Sequence, residues 1–196
     1  MRTRFTTLLG SSLALLILCA AARAGEPVAL FDGKTLAGWD VLTCEAGVEN
    51  GNILLRAGNG LLQAKKQYGD FVLELEWKAL KPDNWDSGIY FRYRDVPQGR
   101  PWPPRYQVNL RKGMEGDLDS VKGGKNTVPT KPLEWNSFEL TVQGDTAALK
   151  VNGQPSWKVS GIEPASGFLS LQAEIPGGGQ FLFRNVRITE LSPAAK

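Results

Sequence analysis

Apolar and polar residues alternate along most of the chain, and the clearest alternation covers residues 89–94. One side of this stretch holds Ile89, Phe91 and Tyr93, and the other side holds Tyr90, Arg92 and Arg94. A period of two residues predicts a β-strand with one apolar face and one polar face. Two guanidinium groups beside a phenol suit the recognition of an oxygen-rich ligand. The alternative is a solvated outer face with ion pairs.

The same alternation recurs in residues 70–78, 105–111 and 135–142, and no segment has a convincing helical period. Asn50-Gly51 and Asn152-Gly153 are typical of hairpin turns. The pattern therefore predicts one all-β domain over residues 25–196, an antiparallel sandwich of two sheets. Its predicted core contains Phe71, Leu73, Leu75, Ile89, Phe91, Val108, Phe138, Leu140 and Val142.

Three of these strands carry polar residues opposite their apolar ones. The polar residues are Glu74 and Glu76, then Arg92 and Arg94, and finally Gln107, Asn109 and Arg111. If the first two strands pair as a hairpin, matching of their apolar sides places Arg92 beside Glu74 or Glu76. Carboxylate, guanidinium and amide groups on one face would suit the hydroxyls and carbonyls of a ligand. A hydrated outer face with cross-strand ion pairs is the alternative.

The first residues predict an export signal rather than part of the fold. Arg2 and Arg4 precede an apolar run over residues 13–22, and Ala22-Arg23-Ala24 matches an A-x-A cleavage site. The chain has 23 Lys and Arg against 20 Asp and Glu, and residues 1–24 contain three arginines and no acid. Residues 25–196 are therefore formally neutral, which argues against nucleic acid or an anionic membrane as partner. We expect a periplasmic or extracellular protein.

The residue inventory limits the chemistry that is available. Histidine is absent, which excludes Ser-His-Asp and Cys-His catalysis and removes the commonest metal ligand. Cys44 is the one cysteine in residues 25–196, so an intrachain disulfide cannot form there. A general acid or base must be a carboxylate, a lysine, a tyrosine or this cysteine.

Several motifs, taken in order, resemble a known family. Residues 30–39 read LFDGKTLAGW, residues 71–78 read FVLELEWK, and residues 87–92 read SGIYFR. Trp135-Asn136, Val151-Asn152-Gly153 and the closing stretch 183–188 complete the match. The chain resembles the 3-keto-disaccharide hydrolase domain over nearly all of residues 28–191. The resemblance implies a concanavalin A-like jelly roll and exported sugar chemistry, in which a base removes the C2 proton of a 3-keto-glycoside before elimination and hydration.

One position departs from the family pattern. The family often has a YExQ strand, whereas this chain has Tyr106-Gln107-Val108-Asn109. An amide binds sugar but cannot take a proton, so the base shifts to Glu74, Glu76, Asp86, Asp117 or Asp119, or the domain binds carbohydrate without catalysis. Asp117 and Asp119 could also ligate a divalent cation, although a solvated loop is the simpler interpretation. A third hypothesis is a surface interaction domain that uses the loop over residues 112–133.

These considerations give a specific set of predicted site residues and no committed metal ligand. Glu76 is the predicted base or acid, Arg92 the predicted donor to a ketone or enolate oxygen, and Asp86 a third catalytic candidate. Gln107 and Asn109 are expected to orient hydroxyls of a small carbohydrate substrate. The remaining predicted binding residues are Glu74, Trp85, Tyr90, Arg94, Trp102 and Arg111.

Overall fold

The computed structural model describes residues 25–192 and contains only β-strands and turns. The predicted export signal over residues 1–24 lies outside the described residues. The strands are β1 (Val28–Ala29), β2 (Trp39–Glu49), β3 (Asn52–Ala64), β4 (Phe71–Ala79), β5 (Gly88–Tyr93), β6 (Gln107–Asn109), β7 (Asn136–Gln143), β8 (Thr146–Val151), β9 (Gln154–Ser160), β10 (Phe168–Glu174) and β11 (Phe181–Glu190). Among residues 25–192, no helix is long and apolar enough to cross a membrane.

All pairings are antiparallel, and the strands follow one curled path. The order is β6-β5-β10-β3-β11-β4-β7-β8-β9, with β1 beside β11 and β2 beside β3. The long strand β3 links the two halves of this path. Residues 53–55 of β3 pair with β11, and residues 59–63 pair with β10. The predicted all-β antiparallel class is confirmed.

The hairpin between β4 and β5 that was considered above does not form. Strand β4 pairs with β11 and β7, whereas β5 pairs with β10 and β6. Residues 80–87 therefore cross from one part of the sheet to another instead of closing a tight turn. This crossing separates Glu74 and Glu76 from Arg92, which the hairpin would have brought together.

The core forms where the apolar sides of the strands face each other. Every residue of the predicted core is buried, and Phe91 is fully inaccessible. Trp77 packs edge-on against Phe138 with 5.6 Å between ring centroids, and Phe91 stacks on Tyr106 at 5.7 Å. Alternation thus predicted burial well, because each strand turns one side to this interior.

Strand β5 breaks its own alternation at Arg92. Phe91 pairs with Leu169 and Tyr93 pairs with Phe168, so Arg92 is an extra residue without an opposite partner. Its φ angle is 52°, in the left-handed region, as a β-bulge allows. After the bulge, Tyr93 lies on the same side as Tyr90 and packs with it and Leu61. Arg92 turns away from that side.

Candidate functional site

Three neighbouring strands present polar side chains away from the core on one surface, which we call the amide face. It consists of Tyr90 on β5, Gln107 and Asn109 on β6, and Gln172 and Glu174 on β10. These residues share a side because Ile89 and its two strand partners, Val108 and Leu171, are buried in the core. The sequence had correctly placed Gln107 and Asn109 on one strand face with Tyr90 nearby.

A chain of side-chain amides crosses the amide face. Gln107 Nε2 donates to Gln172 Oε1, and Gln172 Nε2 donates to Glu174 Oε2 at 2.9 Å. The Gln107 side chain reaches Gln172 by passing over Gly88, where a Cβ atom would lie only 2.2 Å from Gln107 Nε2. Glycine at position 88 is therefore required by this crossing.

The loop after β6 folds back and adds Asp119 to the amide face. Asn109 N donates to Asp117 O at 2.8 Å and Asp119 N donates to Gln107 O at 3.0 Å, so residues 117–119 run antiparallel to β6. Leu118 points into the core between the two acids. Asn109 Nδ2 then donates to Asp119 Oδ2 at 3.1 Å, which holds this carboxylate beside the amides.

Asp86 and Arg111 complete the edge of the amide face. Asp86 N donates to Gly178 O at 3.0 Å, and a Cβ on Gly178 would lie 2.1 Å from Asp86 O. The glycine-rich turn before β11 can therefore approach Asp86 closely. Arg111 Nε lies 3.7 Å from Asp86 Oδ2, and Arg111 N donates to Asn109 Oδ1 at 2.5 Å.

The three carboxylates at this surface share an unusual electrostatic setting. Burial raises the pKa of Asp86, Asp119 and Glu174 above the ordinary value of each group. Asp119 raises the pKa of Asp86 further, and Asp86 raises the pKa of Glu174. The positive charge of Arg111 opposes the shift at all three groups. Such a cluster of shifted carboxyl groups is typical of functional sites.

Two cavities flank these carboxylates. One has a volume of 430 Å³ and is lined by Tyr90, Trp102, Gln107 and Asp119 together with prolines 101, 103 and 104. The other has a volume of 310 Å³ and is lined mainly by Asp86, Arg111, Glu174 and the Gly177-Gly178 turn. Trp102 Nε1 lies 3.2 Å from Gly60 O and 3.3 Å from Ala173 O, so the indole is fixed at the border of the amide face.

Arg92 does not reach the amide face. Its side chain is buried, donating through Nε and Nη2 to Gly69 O at 3.1 and 2.9 Å and through Nη1 to Gly144 O at 2.5 Å. Nη2 also contacts Asp70 Oδ1 at 2.8 Å. The bulge in β5 therefore makes Arg92 a buried link between the turn at Gly69–Asp70 and the turn at Gly144. This corrects the predicted place of Arg92 in the site.

Glu74 and Glu76 also lie elsewhere, on the outer side of β4. Glu76 accepts hydrogen bonds from Arg184 Nε at 2.8 Å and Asn185 Nδ2 at 2.6 Å. Burial raises the pKa of Glu76, but the hydrogen bonds from Asn185 and Arg184 outweigh burial and leave that pKa below its ordinary value. Glu74 is 3.9 Å from Arg187. These carboxylates form cross-strand ion pairs with β11.

Two further predicted binding residues lie apart from the amide face. Trp85 is 2% exposed and packs in the core, although its edge borders the 310 Å³ cavity. Arg94 lines a separate cavity of 610 Å³ with Arg105, Asp95 and Glu163. Asp86, Tyr90, Trp102, Gln107, Asn109 and Arg111 are thus the predicted residues that the structure brings together.

The acids considered for a cation have different environments. Asp117 accepts from Lys125 Nζ at 2.5 Å and from Asn126 N at 2.8 Å, so its carboxylate holds the loop together. Asp119 instead faces the amides. Within the part of the chain that the structure describes, no group of three or more His, Cys, Asp or Glu side chains could hold a metal ion.

Sequence reasoning missed Gln172 and Glu174. A signal for them exists, because Ser170, Gln172 and Glu174 alternate with Leu169, Leu171 and Ala173, which are buried. Nothing in the sequence indicated that β10 lies beside β5, because the two strands are far apart in the chain. Their pairing is what brings Gln172 next to Gln107.

Comparison with known protein families gives a match over most of the chain. Residues 26–189 match the 3-keto-alpha-glucoside-1,2-lyase-like domain family. Among curated proteins, none matches the chain.

Solved structures share the fold at low sequence identity. A proposed glycosyl hydrolase from Parabacteroides distasonis is 19% identical, with a TM-score of 0.68 over 85% of this chain and 94% of that one. The carbohydrate-binding module CBM66 from Bacillus subtilis is 13% identical, with a TM-score of 0.60 over 76% of this chain and 93% of that one. A galectin-like protein of unknown function from Bacillus subtilis is 9% identical, with a TM-score of 0.54 over 80% of this chain and 91% of that one.

Proposed function

The chain belongs to the 3-keto-alpha-glucoside-1,2-lyase-like domain family, and from this premise we propose that the amide face binds and cleaves a 3-keto-glycoside. The observation that carries the proposal is the group of three carboxylates with raised pKa, Asp86, Asp119 and Glu174, beside sugar-binding amides and one guanidinium. Amides, carboxylates and a tryptophan at a cavity edge suit the hydroxyls and apolar faces of a sugar ring.

The reaction begins with removal of a proton next to the ketone. A base takes the proton from C2, and the electron pair of the C2–H bond delocalises onto the C3 oxygen as an enolate. The C1–O bond then breaks, the C3 carbonyl re-forms with a C1–C2 double bond, and the departing oxygen takes a proton. Addition of water across that double bond gives the free 3-keto sugar. The protein must supply a base, a donor for the enolate oxygen and a proton for the leaving group.

Asp119 is the proposed base. It lines the 430 Å³ cavity, and Asn109 orients its carboxylate. Burial raises the pKa of Asp119, while the hydrogen bond from Asn109 and the charge of Arg111 limit that rise. A carboxylate with a raised pKa is a stronger base than an exposed one and remains ionised near neutral pH if the rise is limited.

Asp86 and Glu174 are the proposed source of the leaving-group proton. They border the same 310 Å³ cavity, and the charge of Asp86 raises the pKa of Glu174 further. When two neighbouring carboxylates interact in this way, one of them retains its proton to a higher pH. That proton is available to a departing glycosidic oxygen, and Gln172 holds Glu174 in place by its hydrogen bond.

A carbohydrate-binding domain without catalysis is the second candidate. It is favoured by Gln107, an amide at the position where the family resemblance leads us to expect Glu. Gln107 is hydrogen-bonded to Gln172, so it would orient sugar hydroxyls rather than transfer protons. A module with this role would bind the same sugars and release them unchanged.

The experiment that separates the two candidates compares wild type with Asp119→Asn on a panel of 3-keto-disaccharides. Product release is measured by chromatography and affinity by calorimetry. An enzyme should lose turnover by about 10²-fold or more in Asp119→Asn while keeping much of its affinity, as general-base loss usually does. Glu76→Gln, on the outer side of β4, is the matched control and should leave turnover unchanged.

Two outcomes would contradict cleavage at the amide face. If wild type binds the sugars without releasing product, the binding module is the better description. If Asp119→Asn cleaves as fast as wild type, the base lies elsewhere.

The proposal also includes a two-sheet jelly-roll topology and export of the protein from the cell. The β3–β11 pairing covers only three residues, Ile53 to Leu55, which supports treating the curled sheet as two sheets of a jelly roll. Export directed by residues 1–24 would bring the domain to extracellular glycosides, and formal neutrality supports a small carbohydrate rather than nucleic acid as its partner.

A further inference from the structure

Tyr90 occupies the middle of the amide face. In the strand register it lies between Gln107 on β6 and Ser170 on β10. The side chain is buried, and its ring packs edge-on against Tyr93 with 6.3 Å between centroids. Tyr90 also lines the 430 Å³ cavity together with Asp119. The phenol is thus held rigidly with one edge at the cavity.

The hydroxyl of Tyr90 has no hydrogen-bond partner among residues 25–192. Its neighbours differ in this respect, because Tyr93 donates to Gln63 Oε1 at 2.8 Å and Tyr106 donates to Gly161 O at 3.2 Å. Tyr90 Oη is not among the fully buried side-chain atoms that lack a partner in this part of the chain, so the hydroxyl is accessible at the surface of the amide face. An unpartnered hydroxyl that borders a cavity points to a ligand atom that completes the bond.

The surroundings of Tyr90 favour an acceptor atom as that partner. Burial, followed by the charges of Asp119, Glu174 and Asp86, raises the pKa of the phenol well above its ordinary range. The group therefore stays protonated at neutral pH and can donate a hydrogen bond there. Gln107, Gln172 and Asn109 already donate to neighbouring side chains, which leaves Tyr90 as a donor not yet engaged within the amide face.

We propose that the Tyr90 hydroxyl donates a hydrogen bond to the C3 ketone oxygen of the substrate and stabilises the enolate that forms there. This inference rests on the proposed function. C2 and C3 are adjacent in the sugar, so the base and the donor must be close together, and Asp119 and Tyr90 line the same cavity. The hydrogen bond strengthens as negative charge develops on the oxygen, so it lowers the barrier to C2 proton removal.

The test is Tyr90→Phe, which keeps the ring and removes only the hydroxyl. Exchange of the C2 proton of a 3-keto-disaccharide for deuterium, followed by NMR, reports enolate formation separately from bond cleavage. Loss of one donor to a developing oxyanion typically slows such a step about 10²–10³-fold. Affinity measured by calorimetry should fall about 3- to 10-fold, as for loss of a single hydrogen bond.

Tyr93→Phe is the matched control, because its hydroxyl is bonded within the fold. It should lower the urea midpoint and leave exchange and affinity unchanged, whereas Tyr90→Phe should leave the urea midpoint unchanged. Equal exchange rates and affinities in Tyr90→Phe and wild type would overturn the inference. If wild type neither exchanges nor cleaves, the proposed function fails. The affinities of wild type and Tyr90→Phe for the 3-keto-disaccharide then decide the role of Tyr90 alone. A weaker affinity in Tyr90→Phe retains Tyr90 as the donor to the ketone, and an equal affinity rejects that role.

Discussion

Replacing Arg92 by alanine should damage the fold rather than the site. The alternation of residues 89–94 and the family resemblance together had suggested Arg92 as a donor to substrate, in which case Arg92→Ala would leave the fold largely intact. In the structure the guanidinium is buried and binds two carbonyl oxygens and one carboxylate in different turns. Its removal takes the guanidinium donor away from Gly69 O and Gly144 O and the ion-pair partner away from Asp70, which still accepts from Gly144 N at 3.0 Å. It also opens a cavity under the β5 bulge.

The expected magnitude follows from those contacts. Each hydrogen bond from a charged group contributes about 1.5–3 kcal/mol, although such contributions are not additive. Breaking a buried ion pair by deleting one partner costs about 3–5 kcal/mol, and we expect Arg92→Ala to fall in that range. For a chain of this size the loss corresponds to a decrease in Tm of about 6–20 °C.

Urea unfolding followed by tryptophan fluorescence measures this loss directly. Arg94→Ala is the matched control, because Arg94 is exposed and directly follows β5, and its change should stay below about 0.5 kcal/mol. A stability change under about 1 kcal/mol in Arg92→Ala, accompanied by lost sugar binding, would refute this reasoning and return Arg92 to the site.

Three further variants test other parts of the structure. Gly88→Ala places a Cβ against Gln107 and should lower sugar affinity about tenfold or more, measured by calorimetry, since small displacements of positioning groups are costly. Phe91→Ala should lower the free energy of unfolding by about 3–5 kcal/mol in urea. The raised folded pKa of Asp86 means that its contribution to stability is fully present below its ordinary pKa of 3.8 and is lost as pH rises through the raised value. Asp86→Asn should therefore be more stable than wild type at pH 7 and no more stable at pH 3, as urea midpoints at the two pH values will show.

Alternation predicted the core because it depends only on neighbours in the chain. Phe71, Leu73 and Leu75 follow an uninterrupted period of two, and all are buried. The same reasoning failed at Arg92, where one extra residue in β5 reverses the direction of the side chain. A bulge is fixed by pairing with β10, so residues 89–94 alone could not reveal it.

The residues of the proposed site were brought together by sequence reasoning only in part, for a similar reason. Gln107 and Asn109 were placed correctly because Val108 between them is apolar, and Asp119 was among the candidate bases. Glu76 was misplaced because the order of strands in a sheet depends on long-range contacts. Glu174 went unnoticed, since only the β5–β10 pairing connects it to the amides.

The amide chain over Gly88 has a consequence for how relatives of this domain can differ. Hydrogen bonds run in one direction, from Gln107 to Gln172 to Glu174. A glutamate at position 107, when ionised, can only accept, so the Gln172 amide would have to rotate and donate toward it. Glu174 would then lose its donor from Gln172. Positions 107, 172 and 174 should therefore change together during evolution, so that a family member with an acid at the first position has little reason to keep one at the third.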